Sequence, residues 1–232
     1  IIPAAGNSRR FGKKDKIFYK LKNNITILEN IIIKVFDYSK QIIIVLNKEN
    51  ITKAKTLIKK EKYKKKIKLI RQSKKKGTAI AIIDAIKHTK EKILAVVWAD
   101  QIGLTKKTIA YSLKKINDRK IYIFVPIKQS KQCYTNVILN QKNNILEIKN
   151  TSNSKQIDKK GFNDCGFFIF YKNKISKILF RNIRNKKLLN NKLEFDFINL
   201  FKNLDTTRSK AFISKDRNDI IGINYLKDLN KI

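Results

Sequence analysis

Apolar segments of strand length alternate with helical patterns through the first half of this chain, and that rhythm limits its fold more than any other feature. Ile1-Ile2-Pro3-Ala4 reads as a short strand. Thr26-Ile27-Leu28-Glu29 has the form of a capping box and opens a helix to about Tyr38. Gln41 to Asn47 is a continuous apolar run of the kind buried on both faces. A lysine-covered helix follows from Glu49 to about Tyr63, then a strand from Lys66 to Gln72. Thr78 stands where it would cap a helix whose Ala79, Ile82, Ile83 and Ile86 recur at i, i+3, i+4 and i+7. Lys92 to Asp100 reads as a central strand, and Thr105 starts the next helix. Repeated βα units predict an α/β fold with a doubly wound, Rossmann-like sheet, mixed but mainly parallel, and right-handed crossovers.

The second half changes texture. Lys120–Ile127, Thr135–Asn140, Ile145–Lys149 and Asp164–Phe170 read as strands with short connections, as in hairpins and mixed sheet, followed by a helix from Leu193 to about Leu204 and a strand over Lys210–Ser214. A small β-rich substrate lobe built from about residues 128–215 would sit over the first half. At 232 residues the chain suits one domain, about 1–127 forming one half and 128–232 the other.

The loop after the first strand carries the clearest chemistry. Pro3-Ala4-Ala5-Gly6-Asn7-Ser8-Arg9-Arg10-Phe11-Gly12 runs on to Lys16. Small side chains at positions 4 to 6 let a ligand lie against the backbone, while Arg10 and Lys16 bring positive charge. Exposed backbone N–H groups plus cations are what a polyphosphate needs. The pattern is neither GxGxxG nor the GxxxxGK[ST] of a P-loop. In open α/β sheets ligands bind beyond the carboxyl ends of the strands, and two further segments fall there. Asp100 ends an apolar strand, where a carboxylate can hold Mg²⁺. Gln72 to Ala79 follows a strand and opens a helix, with Gly77 permitting close approach and Gln72 and Thr78 offering hydrogen bonds.

The formal net charge of +36 suggests nucleic acid at first sight, but the excess is nearly all lysine, spread over almost every helix and loop. Lys, Ile and Asn share A/T-rich codons, so the base composition of the coding DNA explains the charge more simply than a partner-binding role, which stays open as the alternative. The aromatics sit mostly inside apolar strands rather than on a basic face, which argues against a nucleic-acid-binding module. The field still attracts small anionic substrates in a salt-dependent way. Two cysteines, Cys133 and Cys165, give no disulfide framework and no metal spacing, which suits the cytoplasm. No apolar run is long enough for a membrane span, and no signal peptide is visible. The lone His88 excludes a histidine-based triad. Trp98 reads as core packing, and Lys74-Lys75-Lys76 as a solvated loop. Ile1 already lies in a strand, so a few residues are expected to precede it.

Taken together, these segments resemble the nucleotidyltransferases that make nucleotide-sugars, and most closely the pyrophosphorylase domain of N-acetylglucosamine-1-phosphate uridylyltransferases. The opening loop is similar to that family's L-A-A-G-x-G-x-R-M-x(5–7)-K. The spacing from Gln72 to Gly77-Thr78 matches its Q-x(4)-G-T-A-x-A. Trp98-Ala99-Asp100 resembles its G-D strand end, with alanine for glycine. Ile145 to Lys149 resembles I-V-E-x-K, Asp164 to Phe168 resembles N-x-G-I-x, and Gly222-Ile223-Asn224 resembles the closing G-V-N. The likeness runs from Ile1 to about Leu229, and no segment resembles the β-helix acetyltransferase that follows in the bifunctional enzymes.

That resemblance implies a glycosyltransferase-A-like fold and an Mg²⁺-dependent transfer from an NTP, UTP favoured, to a sugar-1-phosphate. It implies nucleotide contacts from Ala4, Ala5, Gly6, Gln72, Gly77 and Thr78, and charge compensation by Arg10 and Lys16. Asp100 and Asn224 would be the metal ligands. Sugar contacts would come from Thr135, Glu147 and either Asp164, which aligns without a gap, or Asn163, which needs a one-residue shift. The departures lie on the sugar side, where Tyr134-Thr135-Asn136 stands for the family's Y-G-R. The stretch Lys16 to Asn30, with its Ile25-Thr26-Ile27-Leu28-Glu29-Asn30, also resembles the cytidylyltransferase branch, so a non-sugar phosphate acceptor stays open, although the Gln72 to Ala79 segment favours the sugar branch. The oligomeric state is not readable.

Overall fold

The computed structural model describes residues 1–6, 11–12, 15–59, 61–73, 77–116, 120–130, 134–150 and 161–231. Three strands, β1 (Ile2–Ala4), β2 (Ile42–Leu46) and β3 (Ile67–Arg71), pair in parallel in the order β1-β2-β3. Helices α1 (Ile27–Phe36), α2 (Lys48–Leu57) and the single turn α3 (Glu61–Lys64) connect them. Helix α4 (Thr78–Ile86) leads to β4 (Ile93–Val97), and α5 (Lys106–Lys115) follows. Ile1 donates to the Ala95 carbonyl and accepts from the Val97 N–H, the pattern of a parallel pair, so β4 lies beside β1.

The second half supplies β5 (Ile123–Ser130), β6 (Thr135–Leu139), β7 (Ile145–Asn150), β8 (Gly161–Asp164), β9 (Phe167–Tyr171) and β10 (Ser209–Ile213). With β4 they form a seven-stranded sheet in the order β4-β9-β5-β8-β6-β7, with β10 parallel to β5. The other pairs in this sheet are antiparallel, including both neighbours of β9. The expected doubly wound, mainly parallel sheet is therefore corrected. The α/β fold stands, but a short parallel sheet adjoins a larger, mostly antiparallel one, because β9 is inserted between β4 and β5 in the reverse direction.

Both faces of β9 are covered. Phe168 and Phe170 pack with α4 and with helix α6 (Lys172–Arg184) through Ile82, Ile86, Ile175 and Leu179. Phe167 and Ile169 pack on the other side with α1 and α5 through Leu28, Ile31, Ile32 and Ile109. Alternating side chains entering opposite layers explain why the run Phe-Phe-Ile-Phe is apolar throughout.

Local chemistry sets several boundaries. The Thr26 and Thr105 hydroxyls accept the Glu29 and Thr108 N–H groups and cap α1 and α5. Helix α4 is capped differently from the sequence reading: Gly77 is its N-cap, with φ +93°, and Thr78 is its first residue. The helix expected from Glu49 to Tyr63 breaks after Leu57. The strand expected over Asp164–Phe170 divides at Cys165-Gly166, where Gly166 has φ +65°. The helix expected from Leu193 is a shorter 3₁₀ segment, Phe197–Asn203. Helix α6 went unread, although Ile175, Ile178, Leu179 and Asn182 carry the helical spacing. Among the described residues no helix is long and apolar enough to cross a membrane.

Candidate active site

A cleft of about 380 Å³ opens beyond the carboxyl ends of β1 and β4, between the parallel strands and the second half. Pro3 and Ala4 of β1, Gly6 after it, and Lys16 and Ile17 line it on one side. A Cβ built at Gly6 meets nothing within 4 Å, so the backbone there is open to the cleft. Arg10 and Asn7 to Arg9 lie outside the described residues, as do Lys74 to Lys76 and Cys133. Ala5 does not line the cleft, but its carbonyl accepts the Asn47 side-chain amide at 3.4 Å.

Strand β4 ends at Val97, and a turn carries Trp98, Ala99, Asp100 and Gln101 onto the cleft wall. The Lys16 ammonium sits 2.5 Å from the Asp100 carboxylate, so the first loop and the β4 turn are joined by charge. Asn224 lines the same wall. Its N–H and that of Tyr225 both donate to the buried Asp228 carboxylate at 2.8 Å, which fixes the loop. The Ile223 N–H donates to the Asp100 carbonyl at 3.0 Å, so Asn224 is tied to the Asp100 turn through its neighbour.

Opposite stands a polar corner from β6 and β8. Thr135 donates its hydroxyl proton to Asp164 at 2.6 Å, and the Thr135 N–H reaches the Asn163 side-chain oxygen at 3.3 Å. The Gly166 N–H also donates to Asp164, at 2.8 Å. Burial pushes the Asp164 carboxyl above its ordinary value, against the Thr135 and Gly166 hydrogen bonds that hold it down, and the Asp100 charge adds to the rise. A folded-state value above the unfolded one stabilises the protein only at low pH. That contribution is complete below the unfolded value near 3.8 and is lost as pH rises through the folded value. Thermal melts of Asp164→Asn should therefore show a smaller loss of stability than the parent as pH rises from about 4.

Four expected residues have other surroundings. Thr78 lines the cleft, but its hydroxyl donates to Asp196 at 3.1 Å and accepts the Phe197 N–H at 2.9 Å. It thereby ties α4 to the Phe197–Asn203 segment. Gly77 does not line the cleft; a Cβ there would lie 2.4 Å from the Phe195 carbonyl oxygen, so the glycine accommodates that backbone. The Gln72 amide donates to the Gly77 carbonyl at 3.1 Å and braces the loop. Glu147, on β7, stands away from the cleft wall and pairs with Lys202 at 3.0 Å and Lys149 at 3.7 Å.

The cleft also gathers residues that sequence reasoning left out. Trp98 is half-buried on its wall and stacks against Phe168 and Phe197, so it is more than strand packing. Asp196 faces the cleft, and burial raises its carboxyl above the ordinary value against the Thr78 hydrogen bond. Tyr134 lines the opening, with its hydroxyl 3.3 Å from Asp228. The signal that could have found Asp196 is its place as a helix-capping residue: it is the N-cap of the Phe197–Asn203 segment, and its carboxylate accepts the Ile198 N–H. Chemically, the cleft offers carboxylate and carboxamide oxygens beside an ammonium group and an open backbone turn.

Comparison of the sequence with curated proteins gives no match. Residues 1–160 match the family described as the MobA-like NTP transferase domain. Among solved structures, HddC from Yersinia pseudotuberculosis is 19% identical with a TM-score of 0.69, covering 99% of this chain and 95% of its own. The inositol-1-phosphate CTP transferase from T. maritima is 14% identical (TM-score 0.66; 91% of this chain, 83% of that one). The 4-diphosphocytidyl-2C-methyl-D-erythritol synthase from Anaerococcus prevotii is 16% identical (0.68; 99% and 93%). These likenesses establish a shared fold, and the family match, which spans more than half of the chain, places it among the nucleotidyltransferases: it belongs to the MobA-like NTP transferase domain family.

Proposed function

We propose that the chain transfers a nucleotidyl group from a nucleoside triphosphate, UTP in the first place, to the phosphate of a sugar-1-phosphate, releasing pyrophosphate. The observation that carries this reading is the meeting of Asp100, Lys16 and Asn224 on one wall of the cleft beside the open Gly6 turn. Residues 1–127 serve the nucleotide, and 128–232 serve the acceptor and complete the metal site.

An acceptor phosphate is already ionised at neutral pH, so no general base is required. Its oxygen attacks the α-phosphorus in line, the new P–O bond forms, and the bond to the leaving pyrophosphate breaks. The protein contributes position and charge. Ala4, Ala5 and Gly6 admit the nucleoside against the backbone. Lys16, and Arg10 by resemblance, offset charge on the triphosphate. The donor set of one carboxylate and one carboxamide, held together by the Ile223–Asp100 hydrogen bond, suits Mg²⁺, a hard cation that keeps waters and shares phosphate oxygens. Asp100 and Asn224 would hold such an ion, whose chemistry when bound is to neutralise phosphate charge. Asn163, Asp164 and Thr135 orient acceptor hydroxyls, whereas Glu147 is committed to its lysines.

A second reading replaces UTP by CTP and the sugar by another phosphate-bearing acceptor. It is supported by the likeness to the inositol-1-phosphate CTP transferase from T. maritima and the 4-diphosphocytidyl-2C-methyl-D-erythritol synthase from A. prevotii, and by the position of Glu147 off the cleft. Pyrophosphate release with each of the four NTPs, against sugar-1-phosphates and polyol phosphates, separates the two. Turnover with UTP and a sugar-1-phosphate supports the first reading. Turnover only with a non-sugar acceptor moves the assignment to the second, and silence from folded protein across the whole panel overturns both.

A further inference from the structure

Gln101 is a buried polar side chain with no role in the reading above. It is 8% exposed, and its amide donates to the Asp219 carbonyl at 2.7 Å. Its methylenes and amide fill the space beside two glycines from distant parts of the chain. A Cβ at Gly166 would lie 2.7 Å from the Gln101 Cγ, and one at Gly222 would lie 3.0 Å from its Oε1. Gly166 follows the Asp164 corner, Gly222 precedes Asn224 by two residues, and Gln101 itself follows Asp100. The three segments that carry the proposed site thus meet at one side chain. Their backbones are joined around it as well: the Trp98 N–H donates to the Gly166 carbonyl at 2.9 Å and the Gly103 N–H to the Ile221 carbonyl at 2.8 Å. The chain has only seven glycines, and two of them make room for this glutamine.

We propose that Gln101 is the positioning residue of the site, a wedge that sets Asp100, Asn224 and the Asp164 corner at one fixed spacing. It touches the supporting backbone and acts through Asp100 and Asn224. The inference rests on the proposed nucleotidyl transfer with those two residues as metal ligands. Removing the wedge lets the ligands drift relative to one another, and displacements of about 1 Å can cost on the order of 100-fold in rate.

The geometry of Gly222 makes this testable by a cycle. Its φ lies outside the left-handed region, and beyond the Gln101 oxygen its nearest neighbours stand at 3.8 Å. Gly222→Ala therefore disturbs Gln101 and little else, and in a Gln101→Ala background the added methyl has room. Four proteins (parent, Gln101→Ala, Gly222→Ala and the double variant) are compared by pyrophosphate release and by Mn²⁺ binding followed by electron paramagnetic resonance. Gln101→Met, which keeps the volume and loses the amide, is measured beside them, and circular dichroism melts report folding.

The expected result is a fall in kcat of roughly 10- to 100-fold for Gln101→Ala, with KM for the NTP changed less than about threefold and Mn²⁺ affinity reduced about tenfold. The double variant should be no worse than Gln101→Ala, and Gln101→Met should recover part of the loss. Additive effects of the two substitutions, or a folded Gln101→Ala with parental kcat and Mn²⁺ affinity, overturn the proposal while leaving the functional reading intact. If Gln101→Ala does not fold, the Gly222→Ala and Gln101→Met proteins carry the same test, and parental kcat and Mn²⁺ affinity in both overturn it. A parent that neither binds Mn²⁺ nor releases pyrophosphate removes the functional reading, and this inference falls with it.

Discussion

Replacing Asp100 by asparagine lowers kcat for pyrophosphate release by about 100- to 1,000-fold, or roughly 3–4 kcal/mol in barrier, in line with the loss of one preorganised electrostatic group. The substitution keeps the shape of the side chain and removes its charge. The Asp100 main-chain carbonyl still accepts the Ile223 N–H, so the turn and the Asn224 loop stay in register. Lys16 loses its carboxylate partner, becomes available to phosphate oxygens and can hold the triphosphate in the ground state. KM for the NTP should therefore change less than kcat, the signature of an interaction that matters most in the transition state. Steady-state kinetics on a variant with the parental melting temperature checks this. A folded Asp100→Asn protein with full turnover removes Asp100 from the site.

The second large effect is on stability. Asp219 is fully buried and accepts the Thr105 N–H at 2.8 Å together with the Thr108 and Ser214 hydroxyls. Alanine there leaves two buried hydroxyl donors and the half-buried Thr105 N–H without their acceptor. An unsatisfied buried donor costs about 1–3 kcal/mol. The Thr108 and Ser214 hydroxyls stand 3.3 Å apart and can turn to one another, which keeps the total below the simple sum. The Lys34 ammonium, whose pKa burial lowers, also loses the charge of Asp219 that works against that lowering. We expect Asp219→Ala to lose about 3–5 kcal/mol, equivalent to a fall of about 10 °C in melting temperature for a chain of this length. Thermal melts check it, and a loss below about 1 kcal/mol would mean that the network relaxes without cost. Asp219→Asn keeps one acceptor oxygen and should lose less.

The first half of the fold was legible because its periodicities are unambiguous. β2 is apolar throughout and buried at every position, and in α4 Ala79, Ile82, Ile83 and Ile86 recur at helical spacing and enter one cluster. The insertion of β9 between β4 and β5 was not legible. A strand covered on both faces reads as an unbroken apolar run, the pattern expected of parallel strands, yet β9 runs antiparallel to β4 and β5. Helix α6 was hidden by its seven lysine, arginine and asparagine positions, although its apolar stripe was present.

The same division applies to the site. That Lys16, Asp100 and Asn224 line one cleft could be anticipated, because each sits in a recognisable local setting: a loop after a strand, a strand end, or a glycine-led segment. The surroundings of Gly77 could not, because the atom it accommodates belongs to Phe195, more than a hundred residues away. Gln101 was unreadable for that reason too, since only the folded chain brings Gly166 and Gly222 against it. Glu147 matched a local pattern but is held by Lys202 from the Phe197–Asn203 segment, a partner that local pattern does not contain.

The central claim is that the α-phosphorus is the centre attacked and an acceptor phosphate the attacking group. Phosphorus NMR of the folded protein with an NTP, Mg²⁺ and the acceptor that supports turnover observes this directly. The account predicts that the triphosphate resonances give way to inorganic pyrophosphate and to the paired resonances of a nucleotide-linked diphosphate, in equal amounts. Release of inorganic phosphate with a nucleoside diphosphate left behind would place the attack at the γ-phosphorus and contradict it.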